Sequence, residues 1–261
     1  MQRDSVMGTL SVAAILCVVC SVIVSSAAVG LRPLQEKNKQ RFEKQNILLA
    51  AGMEEQLKTT DVDELFENIE TQLIDLATGE PVGADTIDPD TFDQKKAAKD
   101  LELSEVIPGE DDIAGIKRRE KYSRVYLLKE DGKLKSVILP VYGKGLWSTM
   151  YGFIALESDL NTISGLTFYE HGETPGLGGE VDNPKWKALW PGKQLRTASE
   201  LKLEVIKGQV VSDSPDAIHQ VDGLSGATIT SRGVSNLVRY WIDKGFGPYL
   251  EKLQAAGANN G

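Results

Sequence analysis

Twenty-six consecutive residues, from Val6 to Leu31, carry no charge and are mostly Val, Ile, Leu and Ala. A helix needs about 20 apolar residues to cross the hydrocarbon core of a bilayer. The run therefore commits the chain to one N-terminal span, and no second run of this kind follows. A cleaved signal peptide is the competing reading, with Ser25-Ser26-Ala27 offering small residues to a peptidase. The apolar stretch is longer than the roughly 7–15 residues of a signal h-region, which favours a retained anchor. Cys17 and Cys20 lie inside the span without a His or carboxylate nearby and read as small apolar residues of a membrane helix. Arg3 precedes the span, whereas Arg32, Lys37, Lys39, Arg41 and Lys44 follow it. By the positive-inside rule alone that distribution would put the remaining chain in the cytoplasm.

Beyond the anchor the composition is that of a globular protein. Asp and Glu number 38 against 29 Lys and Arg, a net charge of −9. An acidic surface argues against nucleic acid as a partner, because phosphate backbones demand a cationic face. Two Cys and two His are too few for a disulfide framework or a multi-metal centre.

The spacing predicts a polar helical stalk over Pro33–Met53 and a short amphipathic helix over Asp61–Glu70, with Leu65 and Ile69 four apart. Thr78-Gly79 signals a turn between two apolar pieces of Leu73–Val82, a hairpin. Residues 83–121 read as loop-rich, and the acidic stretch Glu102–Asp112 as a solvated face. Strands are expected over 124–129 and 134–141 around Asp131-Gly132, then over 152–157, 163–169 and 201–206. From Ser231 the apolar residues Val234, Leu237, Val238, Trp241 and Ile242 recur at helical spacing. Thr230 or Ser231 would cap the start, and Gly245 with Pro248 would mark the end. Strands with flanking helices and no regular βαβ alternation give an α+β class. The organisation expected is a membrane anchor over 1–31, a helical stalk and loop-rich segment over 32–120, and a ligand-binding domain over 121–261.

Three constellations carry chemistry. In Asp222-Gly-Leu-Ser225-Gly226-Ala227-Thr228-Ile-Thr230, small residues let a bulky group approach the backbone just before a helix. The N–H groups and dipole of the helix start favour a phosphate there. Neither the P-loop nor the dinucleotide glycine pattern is present; instead a hydroxyl, Thr228, ends the small-residue loop, an arrangement suited to an alcohol that itself becomes esterified. In His171-Gly-Glu173-Thr174-Pro-Gly176-Leu177-Gly178 an irregular Gly-rich loop exposes backbone that could hydrogen-bond a planar ligand, and His171 with Glu173 could form an acid/base pair. In Tyr142-Gly-Lys-Gly-Leu-Trp147 the aromatics offer a stacking surface.

Asp222-x-x-Ser-Gly-Ala-Thr228 resembles the flavinylation motif of bacterial FMN-binding domains. Together with Gly-Lys-Gly-Leu-Trp147, the His171–Gly178 loop, Asn183-Pro-Lys-Trp186 and one N-terminal span, it resembles the C subunits of sodium-translocating NADH:quinone reductases over essentially the whole chain. The resemblance implies an extracytoplasmic FMN-binding domain with antiparallel strands and flanking helices. It implies FMN joined through its phosphate to Thr228 by a dedicated flavin transferase. It also implies electron relay from NADH towards ubiquinone, coupled to sodium export, within a complex expected to hold six subunits. The protein would be a single-pass protein of the bacterial inner membrane, in contact with its lipid, and the large domain would be periplasmic, which overrules the Lys/Arg count. Ser225 and Thr230 would donate to the phosphate oxygens, Gly226 and Ala227 would lie beside them, and Asp222 would orient the Thr228 hydroxyl or hold a metal during transfer. Tyr142, Trp147, Glu173, Thr174, Gly176 and Leu177 would surround the flavin ring. The alternatives are the matching subunit of an Rnf-type ferredoxin:NAD complex, disfavoured by Asn183-Pro-Lys-Trp186 and Trp190-Pro-Gly-Lys193, a membrane-anchored flavin sensor, and an extracytoplasmic interaction protein without flavin.

Overall fold

A computed structural model describes residues 6–83, 87–89 and 91–258; Arg3, used in the charge count, lies outside them. The first helix, α1 (Val6–Ala50), is a single element of 45 residues, where the sequence suggested a span and a separate stalk. Pro33 sits inside it. By length and composition α1 is able to cross a membrane. Two compact units are present, residues 1–43 and residues 44–261.

The second unit begins with the last turns of α1. There follow α2 (Val62–Phe66), β1 (Ile69–Asp75), α3 (Gln94–Ala97), β2 (Ser104–Val106) and β3 (Arg118–Glu120). The helix expected over 61–70 is cut short at Phe66, because Ile69 opens a strand whose residues pair with β4. The Thr78-Gly79 turn is present, with Gly79 at φ +71°, yet the returning arm is reduced to a bridge between Ile74 and Pro81. Proline cannot donate to a ladder, so the arm goes no further as a strand.

The long strands are β4 (Tyr122–Glu130), β5 (Lys133–Lys144), β6 (Thr149–Glu157) and β7 (Ile163–Glu170). They form an antiparallel sheet in the order β1-β4-β5-β6-β7. Asp131 and Gly132 both take positive φ, 52° and 76°, the geometry of a tight hairpin turn that matches strand twist. Because β1 is hydrogen-bonded to β4, the sheet crosses the division drawn at residue 120.

Eight consecutive residues of β5, Ser136–Gly143, are buried, although a half-exposed strand would alternate. Both sheet faces are covered. Tyr126, Leu128, Ile138, Phe153 and Ala155 pack with Ile47, Leu48 and Ala50 of α1 and Val62 and Leu65 of α2. The opposite face, with Val125, Leu127, Val137, Leu139, Val141, Ile154 and Leu156, packs with the C-terminal helices.

The chain then passes α4 (Pro184–Lys187), β8 (Glu204–Val205) and β9 (Gln220–Val221) before α5 (Thr228–Tyr240), a π-helical turn (Trp241–Gly245) and α6 (Gly247–Ala258). The strand expected over 201–206 shrinks to the two residues of β8, paired in parallel with β9. Val234, Leu237 and Val238 are fully buried on the inner face of α5. Gly245 and Pro248 do not end the helical region. Gly245 closes the widened turn, and Pro248 falls in the first turn of α6, where its missing N–H costs nothing. This α+β architecture, a long apolar N-terminal helix followed by an antiparallel sheet with flanking helices, is the class the sequence implied.

Candidate functional site

Three loops meet at one end of the sheet: residues 145–148 between β5 and β6, residues 171–178 after β7, and residues 222–227 leading into α5. Glu173 joins them. Its side chain is buried, and its carboxylate accepts hydrogen bonds from the backbone N–H of Leu146 (3.1 Å), Trp147 (3.0 Å) and Ser148 (3.2 Å) and from the Thr230 hydroxyl (2.7 Å). Burial pushes this carboxyl upward in pKa, but the four donors outweigh it and hold it below the ordinary value. The fit leaves no room for larger residues. A Cβ on Gly145 would stand 2.6 Å from Glu173 Oε1, and one on Gly178 would stand 2.6 Å from Thr230 Oγ1 and 2.9 Å from Glu173 Oε2.

His171 does not pair with the Glu173 carboxylate. Its Nδ1 accepts from the Glu173 backbone N–H (3.2 Å), so Nε2 carries the proton and donates to Asp182 (2.8 Å). Gly172 N–H donates to the Ser148 hydroxyl (2.6 Å). The Thr174 carbonyl accepts from Leu177 and Gly179 N–H, which curls the loop and leaves Thr174, Gly176 and Leu177 exposed.

Helix α5 begins three residues earlier than its apolar pattern suggested. Ala227 is the N-cap residue and Thr228 the first helical residue, and no side chain caps the turn. The hydroxyls expected to cap it are engaged elsewhere, and that of Thr230, also expected to donate to a phosphate, donates inward instead. Thr230 is buried against Glu173, and Ser231 accepts from the Leu224 N–H at 3.0 Å. Thr228 is exposed, as are Ser225 and Gly226. Asp222 braces the loop from within, since its Oδ1 accepts from the Val210 N–H (2.8 Å) and its carbonyl accepts from Trp186 Nε1 (2.8 Å). Thr228 borders a groove of about 900 Å³ whose lining includes Lys185, Lys207, Arg232, Arg239, Asp222 and Ser225.

Four large apolar side chains on these loops and the first turn of α5 face outward: Leu146 (43% exposed), Trp147 (68%), Leu177 (44%) and Ile229 (56%). A Cβ on Gly226 would lie 3.0 Å from Leu177 Cδ2, so the second and third loops touch. Such exposure of Trp, Leu and Ile on a folded surface signals a binding site.

Of the residues expected around a flavin, Trp147, Glu173, Thr174, Gly176, Leu177, Asp222, Ser225, Gly226, Ala227, Thr228 and Thr230 all fall on these three loops and the first turn of α5. Tyr142 does not. Its ring lies in the core, stacked on Tyr151 at 5.4 Å and 4.9 Å from Trp241, and its hydroxyl donates to Glu120 at 2.5 Å. It lines a separate cavity of about 170 Å³. Strand packing accounts for this: β5 is covered on both faces, so its aromatic is buried beside Tyr151 and Trp241 and does not reach the three loops. Leu146 and Ile229 were not anticipated. The signal available was an apolar residue at the second position of a helix, off the stripe set by Val234 and Leu237. Lys185, Lys207, Arg232 and Arg239 were also missed, since nothing in sequence brings them together.

The donor set fits FMN. An uncapped helix start that opens onto a groove with four cationic side chains in its lining suits a phosphate ester, and the exposed Trp147, Leu177 and Ile229 suit a planar ring. The family model of the FMN-binding domain matches residues 145–243, which contain all three loops. The C subunit of the Na(+)-translocating NADH-quinone reductase from Pseudomonas aeruginosa is 51% identical, over 98% of this chain and 99% of its own length. Its counterpart from Neisseria meningitidis serogroup B is 50% identical over 98% of each. The crystal structure of Shewanella oneidensis NqrC superposes with a TM-score of 0.76 at 39% identity, covering 84% of this chain and 99% of that one. Whole-length identity at this level, joined to the same fold and the same domain, leaves one conclusion: the chain belongs to the C subunits of the Na(+)-translocating NADH-quinone reductases, single-pass members of a multi-subunit oxidoreductase that carry an FMN-binding domain.

Proposed function

We propose that FMN is esterified through its phosphate to Thr228 and relays electrons within the complex, from NADH oxidised on another subunit towards ubiquinone reduced on another. One observation carries the attachment point. Among the hydroxyls at the start of α5, Thr230 and Ser231 are buried and committed to Glu173 and Leu224, whereas that of Thr228 is exposed at an uncapped helix N-terminus. In the adduct a bond forms between Thr228 Oγ1 and phosphorus, the P–O bond to the leaving group on that phosphate breaks, and the hydroxyl proton departs with that group, so the chain gains the mass of FMN less one water. The bound flavin supplies the redox chemistry; the protein contributes position and electrostatics.

The α5 N–H groups, and Arg232 one turn on from Thr228 in the same groove, offset the phosphate charge. Trp147, Leu177, Leu146 and Ile229 form the apolar rim for the ring, and Thr174 and Gly176 lie on the same loop. Ser225, Gly226 and Ala227 keep the approach to Thr228 narrow in side-chain bulk. A flavin transferase makes the ester, which puts the large domain on the periplasmic side of the inner membrane, with α1 in the lipid. Five partner subunits complete the complex and couple the electron flow to sodium export. Here complex assembly, not the charges beyond Arg32, sets orientation.

Intact mass of the chain expressed with the transferase tests the attachment. A gain of one FMN less water is expected, and Thr228→Ala is expected to abolish the flavin fluorescence of the denatured chain. An unmodified parent mass, or fluorescence that survives in Thr228→Ala, overturns it. Five co-purifying subunits are expected; a chain isolated alone would favour the sensor reading.

A further inference from the structure

Glu173 sits where the three loops join, yet its carboxylate points into the protein: both oxygens are occupied by Leu146, Trp147, Ser148 and Thr230. We propose that Glu173 is a positioning residue that clamps the flavin rim together and keeps a fixed negative charge inside it, thereby lowering the potential at which the flavin takes up an electron. The charge part of this inference rests on the flavin reading above; the clamp stands on this chain's own contacts.

The clamp follows from connectivity. Trp147 and Leu146 are held by their own backbone N–H groups, so their exposed side chains project from a loop that Glu173 pins. Leu177 stands four residues beyond Glu173 on the same chain. Ile229 is adjacent to Thr230, which donates to Glu173 Oε2. One carboxylate therefore ties the loop of Leu146 and Trp147 to the turn of Thr230, which bears Ile229 and Thr228, and anchors both to the loop that runs on to Leu177. Gly145 and Gly178 supply the clearance, since a Cβ at either would strike the carboxylate or its Thr230 donor. Three of its donors are backbone amides, which no side-chain substitution elsewhere can replace.

The charge follows from the same donors. Four hydrogen bonds to the ionised form keep Glu173 a carboxylate at neutral pH, in line with its depressed pKa. A buried anion opposes the arrival of an electron nearby, and it is screened less than a surface charge.

The test uses Glu173→Gln, which keeps the shape but replaces one acceptor oxygen with an NH2 group and removes the charge. In the full chain, hydrogen exchange at the Leu146, Trp147 and Ser148 amides is expected to quicken at least tenfold. In the flavinylated chain, the equilibrium constant for the first one-electron reduction is expected to rise at least tenfold, a positive shift of about 59 mV. Amides as protected as in the parent overturn the clamp, and an unmoved potential overturns the charge role. Thr230→Val is the second variant, should Glu173→Gln fail to accumulate. It removes one donor and keeps the charge, so exchange should quicken about threefold with the potential unmoved; unchanged exchange counts against the clamp. Exchange is read on the chain with or without flavin. A parent that lacks the FMN mass thus sinks the attachment reading and leaves the clamp measurable.

Discussion

Two buried glutamates of this protein have opposite electrostatic fates. Glu173 lies among Gly-rich loops and is held below the ordinary carboxyl pKa by three backbone amides and a hydroxyl. Glu120 ends β3 and is wholly buried; burial pushes it up to about 7, despite hydrogen bonds from Tyr142 and the Gln94 amide and the nearby Arg119. The difference lies in the donors on offer. A loop of small residues can turn three N–H groups of a neighbouring loop towards one carboxylate, whereas most strand amides are used by the ladder and Glu120 has one backbone donor, its own N–H, beside the Tyr142 hydroxyl and the Gln94 amide. A charge is thus preserved in the loops that carry the site and suppressed in the flank of the sheet.

The largest effect expected is from Glu173→Ala, which strands three amides and the Thr230 hydroxyl. Urea unfolding should show a loss of about 4 kcal/mol at pH 7, since each buried donor left without a partner costs about 1–3 kcal/mol and water reaches some of them. The sign with pH is fixed by its lowered pKa. Glu173 contributes stability above the unfolded carboxyl pKa and loses it as pH falls through the folded value, so the gap between parent and variant should narrow in acid. A gap that widens in acid would break the contrast.

Glu120→Gln should behave in the opposite sense. Its raised pKa means its stability contribution is present below the ordinary value of 4.5 and is lost as pH rises to about 7. Relative to the parent, the variant should therefore gain on the order of 3 kcal/mol between pH 4 and pH 8. Equal pH profiles would show that folding leaves the Glu120 carboxyl at its ordinary pKa. Gly145→Ala comes next. The added methyl meets Glu173 Oε1, and overpacking of this kind costs about 2 kcal/mol, measurable by thermal unfolding. The smallest effect expected is from Tyr142→Phe, about 1 kcal/mol for one hydrogen bond lost at Glu120, with the Glu120 titration moving higher still.

Much of the frame could be read from the chain. Asp131-Gly132 announced its hairpin because a two-residue turn with both φ positive admits few residue types. Thr228 stood out because small residues precede it. What stayed hidden depends on long-range pairing. Ile69 fits a helix and a strand equally well until β4 claims it. Gly245 and Pro248 stop one helix and start another with the same residues. Tyr142 looked like an open aromatic because nothing local reveals that Trp241, Tyr151 and Glu120 close around its ring. Glu173 read as a ring contact or a proton carrier; that its partners are amides 25–27 positions earlier shows only in the fold.

The burial of Ile47, Leu48 and Ala50 under one sheet face has a practical consequence. A water-soluble version of this domain has a hard limit on where it begins. Starting at Lys44 keeps the second unit whole, whereas a start after Ala50 strips Tyr126, Ile138 and Phe153 of their cover, and such a fragment would aggregate through that bared surface.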